Sequence, residues 1–169
     1  MKTRIAVIED NQINIDLIRY QLQVEGFEML CEKTGKTGME MIKSQEPDLV
    51  ILDVGLPDID GFKLCGNLRS DKITKDYPII MLTARAEDSD RIEALKLGAD
   101  DYITKPYNAE ELILRIRNLL KRTEKYKENG SILKLKDMSI DFNKREVQIN
   151  KKIIGLTFSE YQILTMLVE

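Results

Sequence analysis

The chain has 169 residues, of which 43% are hydrophobic and 33% charged, and a formal net charge of -3. That length allows one full domain and part of another, and the balance supplies no global basic field for nucleic acid or a membrane surface. No apolar run approaches the roughly 20 residues of a membrane span, and histidine is absent, which excludes a His nucleophile, general base or metal ligand within the chain.

Met1-Lys2-Thr3-Arg4 runs into the first apolar segment with no signal-peptide pattern. Cys31 and Cys65 are far apart and form no CxxC pair, so reduced thiols in a cytoplasmic protein are expected. The first 122 residues alternate short apolar runs with helical patterns. The runs are Ile5 to Ile8, Phe27 to Cys31, Leu49 to Leu52, Ile79 to Leu82 and Tyr102 to Thr104. The helices are predicted over Asn11 to Glu25, stopped by Gly26, then Gly38 to Gln45, Gly61 to Ser70, Glu87 to Leu97, stopped by Gly98, and a fifth opened by Asn108 with Leu112, Ile116, Leu119 and Leu120 as its buried stripe. Strands alternating with helices predict an α/β fold, a doubly wound five-stranded parallel sheet with right-handed crossovers.

Residues 123–130 are polar without apolar period and read as a linker, or as a helix fraying into one. Beyond it the period changes. Ile132 to Leu135, Met138 to Phe142 and Val147 to Asn150 are short runs separated by turn-like residues, with Asn143-Lys144-Arg145 as a hairpin turn; they predict a small antiparallel sheet. Thr157-Phe158-Ser159-Glu160 is a capping box before a helical face of Tyr161, Ile163, Leu164, Leu167 and Val168. This second unit, residues 131–169, is below the size that folds alone and reads as the incomplete N-terminal part of a larger α+β domain. A net charge near -4 for residues 1–122 against +1 for 123–169 agrees with the boundary.

In an open parallel sheet the C-terminal strand ends line one crevice, where ligands bind. Glu9-Asp10, Asp53, Thr83 and Lys105 each follow or end an apolar run, so three acids, a hydroxyl and an ammonium would meet there. Carboxylates at a dry sheet end need a cation, and Mg²⁺ prefers one or two carboxylates, several waters and a phosphate oxygen. Asp53 would also serve as a nucleophile toward phosphorus, with Lys105 and Thr83 stabilising phosphoryl oxygens. Two other phosphate chemistries fail on single residues. A P-loop ending in Gly35-Lys36-Thr37 needs glycine where Leu30 stands, and a hydrolase of the DxD type needs an acid where Gly55 stands.

Over residues 3–122 these motifs resemble the response-regulator receiver domain: Ile5-Ala-Val-Ile-Glu9-Asp10-Asn11, Leu49-Val-Ile-Leu-Asp53-Val-Gly-Leu-Pro57-Asp-Ile-Asp-Gly61, Met81-Leu-Thr83-Ala84 and Gly98-Ala-Asp-Asp-Tyr102-Ile-Thr-Lys105-Pro106-Tyr107. The resemblance implies the flavodoxin-like strand order 2-1-3-4-5. It implies that Asp53 accepts a phosphoryl group from a sensor histidine kinase in trans, with Mg²⁺ held by Glu9, Asp10, Asp53 and the backbone carbonyl of Gly55. It implies self-phosphorylation and slow self-dephosphorylation rather than substrate turnover, room for the phosphoryl group beside Ala84, a cis Lys105-Pro106 bond, and a switch in which Thr83 turns to the phosphoryl group and Tyr102 fills the space. A receiver-shaped interaction module working without phosphate is the alternative, disfavoured by the intact acid–Thr–Lys set.

Residues 131–169 resemble the start of an OmpR/PhoB-type winged-helix effector domain, carried by Leu156-Thr157-Phe158-Ser159-Glu160 after an antiparallel platform. That subclass implies a phosphorylation-dependent homodimer through the fourth helix, fifth strand and fifth helix, with Arg91, Asp100, Asp101, Glu111, Arg115 and Arg117 in cross-dimer ion pairs around Ile92, Leu95 and Ile113. Lys96 and Arg117 are both basic where an acid–base pair is expected, which leaves one such bridge unmade. DNA binding is expected of the full-length protein, the recognition helix and wing being absent from these residues. Asn11-Gln12-Ile13-Asn14 and Glu25-Gly26 also resemble receivers carried by hybrid kinases.

Overall fold

The computed structural model describes residues 2–84, 94, 96–128, 132–141, 146–156 and 158–168, with side chains left undescribed at 122–128, 158, 159, 162 and 166. The fourth predicted helix, the Asn143-Lys144-Arg145 turn and the Thr157 cap lie largely or wholly outside these residues. Two compact units divide the chain, Met1–Asn118 and Leu119–Glu169.

In the first unit five strands, β1 (Arg4–Ile8), β2 (Glu28–Glu32), β3 (Leu49–Asp53), β4 (Ile79–Thr83) and β5 (Asp101–Thr104), form one parallel sheet in the order β2-β1-β3-β4-β5. Every residue of β3 and β4 is buried, as expected for strands covered on both faces. β2 lies at the edge and is only half-buried. The expected strand order is the one observed.

The helices form where caps and apolar spacing agree. Helix α1 (Gln12–Val24) opens on Asn11, whose side chain accepts the Ile13 and Asn14 N–H groups, and buries Ile15, Ile18 and Leu22. Helix α2 (Gly35–Gln45) begins three residues earlier than its apolar pattern suggests, because Thr34 caps it. It lies close to the sheet: a Cβ on Gly38 would meet the Ile8 side chain at 2.5 Å. Helix α3 (Gly61–Ser70) opens on Asp60 and buries Phe62, Leu64, Cys65 and Leu68. The long helix Ala109–Glu128 starts where Asn108 Oδ1 accepts the Glu110 N–H at 2.7 Å. Its backbone continues to Glu128 and so takes in most of the segment read as a linker; the boundary between the compact units falls inside this helix.

In the second unit β6 (Ile132–Leu135), β7 (Met138–Asp141), β8 (Glu146–Ile149) and β9 (Lys152–Ile154) form an antiparallel sheet in that order. The strand β9 was not singled out by its sequence. It is made by Asn150 and Lys151, both at positive φ, as a two-residue type I′ turn requires. Ile140, Val147 and Tyr161 are the buried centre of this unit, with Leu133, Leu164 and Val168 packed against them and Tyr161, Leu164 and Val168 supplied by the helix Phe158–Val168.

Both cysteines are free, and burial raises the thiol pKa of each, Cys65 to about 11. Among the described residues no helix is long and apolar enough to cross a membrane.

One backbone approach is especially close. A Cβ on Gly61 would meet the Asp53 carbonyl oxygen at 2.3 Å and Val54 Cα at 2.6 Å, and the Gly61 N–H donates to the Val54 carbonyl at 2.9 Å. Gly61→Ala is therefore expected to destabilise the domain by about 1–3 kcal/mol, the range for overpacking. A lower urea midpoint at unchanged m value would report it.

Candidate functional site

Strand register builds the site. Ile8 of β1 is level with Leu52 of β3, so Glu9 and Asp53 follow side by side. Asp53 is level with Leu82 of β4, which puts Thr83 one residue further on, and Thr83 pairs with Thr104 just before Lys105. Carboxylate oxygens of Glu9, Asp10 and Asp53 lie within 4.8 Å of one another. Glu9 is 1% exposed and Asp53 7%, whereas Asp10 faces solvent. The Lys105 ammonium reaches across the sheet to both buried acids, with Nζ 2.6 Å from Glu9 Oε2 and 3.0 Å from Asp53 Oδ1. The Lys105-Pro106 peptide is cis.

Among the described residues, three carboxylates around one ammonium leave a surplus of negative charge, and the third acid opens the cluster to water. That donor set fits Mg²⁺, which keeps several waters and takes one or two protein carboxylates. Gly55 adjoins it: a Cβ there would stand 3.7 Å from Asp53 Oδ2. Thr83 is 1% exposed, and Ala84 beside it is exposed. Tyr102 is buried in the main core cluster with Met81, Ala94 and Ala99.

Three residues near the site carried no assigned role in the sequence. Glu9 Oε1 accepts the Asn11 N–H at 3.2 Å and the Asn14 side-chain amide at 3.0 Å, so Asn14 helps hold the acid whose other oxygen meets Lys105. Tyr107 is half-buried, and its phenol is pushed up to about 12, by burial first and then by the charges of Glu9 and Asp53. Its only sequence signal was adjacency to Lys105-Pro106. Asp58 accepts the N–H groups of Lys36 and Gly35, which hold its carboxyl below the usual carboxylate range. A cap supplied across 22 residues leaves no local trace.

The residues expected to form a dimer face separate into groups. Arg115 sits between Asp101, 2.7 Å away, and Glu111, also 2.7 Å away, as one surface cluster within the chain. Asp100 does not join them. Its carboxylate is fully buried and accepts from Arg69 at 2.8 Å and from the Ile79 N–H at 2.6 Å. Arg117, half a helical turn from Arg115, pairs with Glu25 at the end of α1. Ile113 is buried, while Leu114 is exposed. Arg91, Ile92 and Leu95 lie outside the described residues.

Comparison with known proteins agrees with this geometry. Residues 5–117 match the response regulator receiver domain family. The probable transcriptional regulator ycf27 of Porphyridium aerugineum is 37% identical over 172 residues, covering 99% of this chain and 70% of the relative. The response regulator DrrB, a Thermotoga maritima OmpR/PhoB homolog, superimposes over 99% of this chain and 72% of its own with a TM-score of 0.66 and 29% identity. The receiver domain of the sensor histidine kinase PA1611 from Pseudomonas aeruginosa, solved with a magnesium ion in its active-site cleft, has a TM-score of 0.66 and 28% identity over 72% of this chain and 99% of that one. The chain belongs to the response regulators: its first unit is a receiver domain. Its relatives place it with the OmpR/PhoB type, the two-component transcriptional regulators.

The shared ammonium makes a direct prediction. Lys105→Ala leaves two buried carboxylates uncompensated and should cost about 3 kcal/mol, the scale for breaking a buried ion pair. Adding Asp53→Asn should restore part of that loss by removing one of the two charges. Urea denaturation of the two single variants and the double variant measures both terms.

Proposed function

We propose that this chain is the phosphorylation-controlled part of a transcriptional regulator, with Asp53 as phosphoacceptor. The observation that carries the reading is the buried Glu9–Lys105–Asp53 bridge within a cluster of three carboxylates. An Asp53 oxygen attacks the phosphorus of a phosphohistidine on a partner kinase. The new P–O bond forms as the donor's P–N bond breaks, and the departing imidazole keeps that electron pair. Glu9, Asp10, Asp53 and the Gly55 carbonyl would hold Mg²⁺, which when bound supplies charge neutralisation at the phosphoryl oxygens.

The chain's own residues do the rest. The Lys105 ammonium, released from part of its present pairing, stabilises the phosphoryl oxygens. Asn11 and Asn14 keep Glu9 oriented. Thr83 donates to a phosphoryl oxygen, and the Tyr102 ring, already buried in the core cluster, takes the space that Thr83 leaves. Phosphorylation favours one of two nearby states only through such differential contacts. The face bearing Asp101, Glu111 and Arg115 then favours a homodimer, and the second unit contributes the beginning of a winged-helix DNA-binding domain. The relative named as a transcriptional regulator supports that output. The chain accepts and slowly loses its own phosphoryl group rather than turning over a substrate, and acts in the cytoplasm.

With acetyl phosphate and Mg²⁺, intact mass should show one phosphoryl group gained by the wild type and none by Asp53→Asn. A sizing column run in parallel should show a larger species for the wild type alone. An adduct that persists in Asp53→Asn, or its absence from the wild type, would remove Asp53 from the role.

A further inference from the structure

The loop after Asp53 is fastened to a helix other than the one it leads into. Residues 54–60 run from β3 to α3, yet Asp58 sends its carboxylate to the first turn of α2. Its Oδ1 accepts the Gly35 N–H at 2.8 Å and its Oδ2 accepts the Lys36 N–H at 2.9 Å. Thr34 takes the next donor, the Thr37 N–H, with its hydroxyl. The cap of α2 is thus shared between its own N-cap residue and a carboxylate from the phosphoacceptor loop, a favourable charge for a helix N-terminus. Packing follows the same line: a Cβ on Gly35 would meet Ile59 Cγ2 at 2.2 Å.

Helix α2 also backs the other half of the site. Gly38 lies against Ile8, the residue before Glu9. One rigid helix therefore touches the end of the strand that presents Glu9 and Asp10 and the loop that contains Gly55. Asp58 itself is exposed and outside the acidic cluster. We infer that Asp58 is a positioning residue: by tying the 54–60 loop to α2 it sets the distance between the Glu9–Asp10 side of the cation site and the Asp53–Gly55 side. The inference rests on the Mg²⁺ reading above and adds to it a residue that need not touch the ion.

Calorimetric titration of Mg²⁺ into the whole chain tests it, with thermal unfolding recorded for each variant. Asp58→Ala should weaken Mg²⁺ binding about tenfold, the lower end for groups that orient metal ligands from outside. Asp58→Asn, which keeps an acceptor oxygen in place, should lose less, and it decides the matter if Asp58→Ala fails to fold. Thr34→Ala removes the other half of the same cap without touching the loop. It should lower the unfolding temperature and leave Mg²⁺ affinity at the wild-type value. Unchanged Mg²⁺ affinity in both Asp58 variants, or an equal loss in Thr34→Ala, overturns the positioning role and leaves Asp58 a helix cap. A wild type that binds no Mg²⁺ overturns the cation site and this inference together.

Discussion

The Lys105 ammonium lying between Glu9 and Asp53 is the constraint on which the rest depends. Two carboxylates at 4.8 Å would repel by about 3–4 kcal/mol at an effective dielectric near 20, and oxygens of all three acids here lie within that distance of one another. Burial makes that repulsion harder to screen. Among the described residues the cation that offsets it is Lys105, which comes from the end of β5, two strands away from β3 in the order β2-β1-β3-β4-β5. The strand order is therefore more than scaffolding. Topology and electrostatics are linked, because the order decides which strand end can bring a cation to which acid.

The same arrangement explains why the pocket is poised rather than inert. A fully neutralised cluster would have little affinity for another cation, and a fully exposed one would be screened by water and salt. Among the described residues, one ammonium for three carboxylates, with Asp10 open to solvent, lies between these limits. The apolar strands beneath hold the acids in place, each fully buried Leu, Ile or Val contributing about 1.5–3 kcal/mol. The local cost of charge at the sheet end is offset by packing that has no part in the chemistry.

How much of this was legible in the sequence depends on how local the cause was. The five strands and the convergence of Glu9, Asp53, Thr83 and Lys105 follow from apolar runs ending in polar residues, whereas the strand order came from the resemblance to receiver domains. Asn108 announced its helix as a cap, whereas Asn11 and Asp60 show themselves as caps only in the structure. What was hidden was carried by contacts between distant residues. Asp58 caps a helix that precedes it by 22 residues, and Arg69 draws Asp100 inward, away from the surface on which its neighbour Asp101 remains. Adjacent acids of the same type read alike in a sequence. Burial separates them only when the partner's position is known. Arg115 and Arg117 likewise look equivalent until the helical period places them on opposite sides. In the second unit, β9 was missed because Lys152-Ile153-Ile154 is short, and the turn before it is a matter of backbone sign rather than composition.

The half-buried edge strand β2 has a consequence for how copies of this chain can meet. An unpaired strand edge offers a ready row of backbone donors and acceptors to a neighbour. Glu28 and Glu32 stand at the two ends of β2, with Met29, Leu30 and Cys31 between them. If two copies joined edge to edge in antiparallel fashion about Leu30, each Glu28 would face a Glu32, and like charges directly opposite oppose pairing. The acids thus blunt the sheet against ribbon-like extension at that edge, and leave surfaces made of side chains, whose contacts a charge change can reverse, as the better ground for any self-association.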